Sequence, residues 1–187
     1  VPLERATATD IAAVTAIPAE LSKTEVIEFA RQHDIAVWEG RASVAKFHAG
    51  DDLTRATPYE VVESEPNLLL TAGVTRLWNL VTGAGGNAYN GTNARIAVGS
   101  GTTAASAGQT ALVTESARQV VDSTPSVSTN TVTFIATFGT GAANINWREM
   151  GVVESASTGT FLNRLVSDWG TKTSSASWVA TMTISLS

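Results

Sequence analysis

Two histidines, three strand-borne carboxylates and two glycine-rich turns are the parts of this sequence with an opening for chemistry. His33 and His48 are its only histidines; they have no H-x-x-x-H spacing, and there is no cysteine to complete a zinc site. His33 falls in the last turn of a predicted helix, where an imidazolium complements the helix dipole. His48 follows a predicted strand and precedes a turn, so exposure is expected. Asp51-Asp52 lacks the D-x-D-x-D-G spacing of a calcium loop and reads as a solvated turn.

Glu149, Glu154 and Asp168 lie on or near predicted strands, where a pair of carboxylates would be needed for glycoside hydrolysis. Arg148 and Arg164 offer the plainer assignment, ion pairs. A Walker loop requires Gly-Lys-Ser/Thr, and neither Gly83–Gly86 nor Gly99–Gly101 has a nearby lysine. A dinucleotide fingerprint sits between a strand and an opening helix, whereas Gly83–Gly86 closes one. No G-x-S-x-G marks a nucleophile. The expectation is a protein that is not an enzyme, with no catalytic, cofactor-binding or metal-ligating residues.

Composition points the same way. The 187 residues carry a net charge of −5, and a sequence pI near 5.0 argues against a nucleic-acid partner. Residues 1–66 hold 12 acidic and 6 basic side chains; residues 67–187 hold 5 and 6, and are rich in Thr, Ser, Ala, Gly and Asn. A sparsely charged hydroxyl surface suits packing into an assembly. The polar face of an ordinary β-protein fits the same composition. No apolar run approaches the roughly 18–20 residues that span a bilayer, and Val1-Pro2-Leu3-Glu4-Arg5 lacks the pattern of a signal peptide. A protein made in the cytoplasm with no membrane partner is expected.

The elements that would position these residues are mostly strands. Trp178 to Ser187 alternates apolar and hydroxyl residues, with Trp178, Ala180, Met182, Ile184 and Leu186 on one face and Thr181, Thr183 and Ser185 on the other. Similar runs at Arg95–Val98, Thr131–Phe138, Ile145–Val153 and Thr160–Ser167 are separated by turn clusters. A helix is predicted over 68–82, capped by Asn67 and stopped by Gly83, with an apolar stripe of Leu70, Val74, Leu77, Trp78 and Val81 wide enough to cover a sheet. Upstream, Ser22-Lys23-Thr24-Glu25 is a capping box opening a helix to about Gln32, and Ile35–Trp38, Ser43–Phe47 and Tyr59–Val62 read as short strands, the first ended by Gly40. The predicted organisation is an extended N-terminal arm (1–20), a small α+β unit (21–66) and a β-domain (67–187). The fold class is α+β, mainly β: an antiparallel sandwich or half-barrel with one covering helix.

Ile11, Val14 and Ile17 recur every three residues in the arm and suit a segment that docks on a partner. Of the five tryptophans, Trp38, Trp78, Trp147 and Trp178 are expected in the core. Trp169, beside Gly170 and Lys172, is expected at the surface as a partner contact.

The run from Asn67 through Gly73 and Leu77 to Gly83 resembles a family of tailed-bacteriophage virion structural proteins. So do Asn93 to Gly99, Phe134 to Asn144, and Leu162-Asn163-Arg164, and the resemblance covers roughly residues 35–187. Val98-Gly99-Ser100-Gly101 departs from it, because the family's pattern would place an acidic residue after the glycine; this counts against a cation at that loop. The resemblance implies a capsid decoration (cement) protein: a homo-oligomer, with a trimer favoured, on the outside of the virion, whose partner is the major capsid protein. The alternative it implies is a tail or head-fibre protein that binds a host-surface glycan.

Overall fold

The computed structural model describes residues 37–64 and 69–186, together with Glu25, Glu28, Phe29 and Gln32. Glu25, Glu28, Phe29 and Gln32 are helical, as the capping box predicts. The chain divides into two compact units, Val1–Val37 and Trp38–Ser187, and the second holds the β-structure.

Among the described residues of that second unit there are nine strands and one helix. The strands are β1 (Trp38–His48), β2 (Glu60–Glu63), β3 (Arg95–Gly99), β4 (Glu115–Val120), β5 (Ser126–Ser128), β6 (Thr131–Phe138), β7 (Asn146–Val153), β8 (Leu165–Thr171) and β9 (Ala176–Leu186), and helix α1 spans Thr71–Val81. The strands form two antiparallel sheets, β2-β1-β9-β6-β5 and β4-β3-β7-β8. Together with helix α1 this is a mainly β, sandwich-like α+β fold.

The alternation read in the last strand sets the core. Trp178, Ala180, Met182 and Ile184 are buried, while Val179, Thr181 and Thr183 are half-buried on the outer face. From the other sheet Ile96, Val98, Trp147, Met150, Val152, Leu165 and Trp169 join the same core. Phe138, Trp147 and Trp178 meet edge to face, at centroid distances of 4.7 and 4.9 Å, an arrangement favoured by the ring quadrupoles. Trp147 and Met150, three residues apart, share this core because β7 carries a bulge between Trp147 and Glu149 that resets the two-residue alternation.

Several expectations are corrected. Gly40 does not end a strand: β1 runs unbroken through it and pairs with β9 from Trp38↔Leu186 to His48↔Ala176. Strands β1 and β2 therefore belong to the same sheet as β9, and no boundary falls near residue 66. Local composition cannot reveal such long-range pairing. Strands β4 and β5 were not expected; they are short and lie at sheet edges. The strand expected over 160–167 begins only at Leu165, and Phe161 makes an isolated bridge to Val153.

Helix α1 is not the lid that its stripe suggested. Leu70 is buried and Val74 and Leu77 pack on the core, but Trp78 is 62% and Val81 76% exposed. Gly73 explains the tilt. A Cβ there would lie 2.6 Å from Leu162 Cα, so the helix rests with its glycine on the 161–162 backbone and leaves the far end of the stripe, Trp78 and Val81, facing outward.

Candidate interaction surface

The outer side of the four-stranded sheet is covered by a loop rather than by the helix. Residues 100–114 leave β3 and return to β4, with Ser100 N–H donating to Thr114 C=O at 3.0 Å to close the base. This is an Ω-loop in form. Glu149, placed by the β7 bulge on the side away from the main core, clamps both of its ends. Its Oε1 accepts from the amides of Gly101 (3.1 Å) and Thr114 (2.5 Å), and its Oε2 from the amide of Val113 (2.8 Å).

Arg164 balances the charge, donating from Nε to Glu149 Oε2 at 2.8 Å, with Nη2 also 2.8 Å from that oxygen. Both side chains are wholly buried. Burial pushes the Glu149 carboxyl up, but the amides of Thr114 and Val113 and the Arg164 guanidinium outweigh it and hold it below the usual carboxylate range. Arg164 Nη1 also donates to Gln109 Oε1 at 3.0 Å, gripping the loop's middle. A Cβ on Gly99 would collide with the Thr114 carbonyl and the Glu149 carboxylate, and one on Gly101 with the Glu149 carboxylate. Under the loop Leu70, Ala97, Leu112, Val153 and Phe161 form a second, smaller core.

The other carboxylates are engaged elsewhere. Glu154, 2% exposed, pairs through Oε1 with Arg76 Nη1 of α1 at 3.0 Å. Tyr89 donates to Thr160 C=O beside this pair; burial pushes its hydroxyl up, helped by Glu154 and partly offset by Arg76. Asp168 pairs with Arg148 at 2.5 Å at the surface. Each of the three carboxylates thus meets a different arginine. The expected ion pairs of Arg148 and Arg164 are present, and Arg76–Glu154 joins them.

Lys172 is buried without a carboxylate and donates to Gly139 C=O (2.7 Å) and Asn144 Oδ1 (2.9 Å), tying down the turn between β6 and β7; desolvation lowers its pKa. Asp51 and Asp52 accept from nearby turn amides, as a solvated turn would. His48 is exposed and stacks on Tyr59 at 4.7 Å. Among the described residues no three His, Asp or Glu side chains come together as a metal site would require, and no helix is long and apolar enough to cross a membrane.

Two surface features remain. A notch of about 160 Å³ on the five-stranded sheet is lined by Arg41, Ser43, Glu63, Ser64, Thr181 and Thr183. An apolar groove of about 300 Å³ is lined by Trp38 and by Val74, Leu77, Trp78 and Val81 of α1.

Of the predicted partner contacts, Trp169 is overturned. It faces the core from β8 and is fully buried, because its neighbours Asp168 and Gly170 take the outward positions. Trp78 and Trp38, expected in the core, are the exposed tryptophans instead. Ile11, Val14, Ile17 and His33 lie outside the described residues. No family model, no curated protein and no solved structure matches this chain.

Proposed function

We propose that this chain is a non-enzymatic structural subunit of a tailed-phage virion, and specifically a decoration protein that binds the outside of the shell and reinforces contacts between major capsid subunits. The observation that carries the non-catalytic part is the use of the buried charges. Glu149, Arg164, Glu154 and Lys172 all serve internal contacts that hold loops to the sandwich. Two outward features carry little charge of their own, the apolar α1 groove and the hydroxyl-bearing outer side chains of β9. A scaffold whose buried charges are spent on holding loops suits assembly better than turnover.

The virion part rests on the resemblance of the motifs quoted above. Their residues have scaffold roles here: Gly73 seats the helix, Gly99 makes room for Glu149, and Arg164 neutralises it. Sedimentation with expanded, undecorated shells of the encoding phage tests the reading. The chain is expected to pellet with shells and to raise their resistance to heat. A chain that stays in the supernatant would remove the decoration role, and hydrolysis of peptidoglycan or polysaccharide by the pure protein would remove the non-enzymatic one.

A further inference from the structure

We infer that Asn90 is a self-modifying site, at which the folded chain deamidates to aspartate and isoaspartate. The inference is independent of the function proposed above. Asn90-Gly91 is the only asparagine–glycine step in the sequence. Glycine has no Cβ to shield its amide or to restrict its backbone, so the Gly91 nitrogen has access to the side-chain carbonyl of the residue before it. Asn90 is exposed. Its Oδ1 accepts from the amides of Thr92 (3.1 Å) and Asn93 (2.9 Å), which folds the side chain back over its own C-terminal peptide and draws electron density from Cγ. Among the described residues neither the Gly91 amide nor Asn90 Nδ2 has a protein hydrogen-bond partner. The attacking nitrogen and the leaving nitrogen are both unengaged.

The Gly91 amide gives its proton to solvent and its nitrogen bonds to Asn90 Cγ. The Cγ–Nδ2 bond breaks, and the amino group takes up a proton and leaves as ammonia. Water then opens the succinimide ring. Cleavage between Cγ and the ring nitrogen gives aspartate. Cleavage between the main-chain carbonyl carbon and that nitrogen gives isoaspartate, with the chain running through Cβ and Cγ. Either product puts a carboxylate where a neutral amide stood, but the two fit the fold differently. Aspartate caps a turn as well as asparagine does, so the contacts to Thr92 and Asn93 persist. Isoaspartate adds a carbon to the main chain inside the turn that Ala94 N–H closes on Asn90 C=O at 2.8 Å. That turn leads the buried Ala94 into β3. On its other side there is no slack, since a Cβ on Gly91 would lie 3.0 Å from Thr124 Cα.

Ageing the full chain in a mildly alkaline, non-denaturing buffer tests this, read by peptide mapping in a mass spectrometer and by isoaspartyl methyltransferase labelling. Asn87 and Asn93, each followed by alanine in the same segment, are internal controls. Amide-to-acid exchange should be at least about tenfold faster at Asn90 than at either control, and the methyl label should accumulate at residue 90. Asn90→Asp should melt with the fresh native chain, whereas the isoaspartyl fraction of the aged sample should melt lower. Exchange at Asn90 no faster than at Asn87 and Asn93 would overturn the inference. Exchange that appears only when the chain is unfolded in urea would mean that the turn shields Asn90, and overturns it equally.

Discussion

Arg164 and Glu149 meet through Nε and Oε2 at 2.8 Å with neither side chain exposed, and this pair fixes the longest irregular segment of the sandwich. The carboxylate gathers three loop amides, those of Gly101, Val113 and Thr114. The guanidinium makes a buried anion tolerable. Every hydrogen bond described for the pair is internal to the sandwich and its loop.

Replacing Glu149 by Gln keeps the shape but removes the charge that balances Arg164. Leaving one member of a buried ion pair alone costs ~3–5 kcal/mol, and denaturant unfolding should register a loss of that size. Hydrogen exchange should quicken first at Val113 and Thr114. Removing both charges with Glu149→Gln and Arg164→Met should recover only part of the loss, because a glutamine carbonyl oxygen cannot accept all three amides. A single variant within about 0.5 kcal/mol of the native protein, the range of ordinary surface changes, would contradict the clamp.

The same carboxylate gives the stability a defined pH dependence. Its folded pKa lies below the ordinary value, which is about 4.3 for glutamate in an unfolded chain. As pH falls below that value the unfolded state takes up the proton first, and the stabilisation is lost as pH descends through the folded pKa. The stability gap between native protein and Glu149→Gln should therefore be widest near neutrality and shrink under acid. A gap that stays constant to the acid limit of folding would assign the effect to shape alone.

The register of β9 makes a paired prediction. Ile184 is 2% exposed in the core, and its truncation to alanine should cost ~2–5 kcal/mol. Thr183 faces outward between Arg41 and Thr133, and Thr183→Ala should cost no more than about 0.5 kcal/mol in the isolated protein. The reverse order, measured by denaturant melts, would mean that the strand is shifted by one residue.

The strand was legible because its period of two extends over eleven residues. The same signal placed β3, β6 and β7, whose apolar residues alternate or run together. What stayed hidden was set by tertiary contacts. The pairing of β1 with β9 joins residues far apart in sequence, and a three-residue edge strand such as β5 has too little pattern to register. Trp169 and Trp78 exchanged their expected places for one reason: flanking residues report turn propensity, whereas burial depends on which face the sheet or helix presents. Gly73 held the clue for α1, since a glycine within an apolar stripe marks a close backbone approach. The Glu149 clamp leaves only a faint trace in the sequence, the glycines at 99 and 101.

Quantitative mass spectrometry of purified particles of the encoding phage, with the major shell subunit as the internal standard, tests the central claim most directly. A decoration protein should be present in copy numbers commensurate with that subunit, and should be released by conditions that leave the shell intact. A few copies per particle would place the chain on a tail or fibre instead, and its absence from purified particles would contradict a virion role altogether.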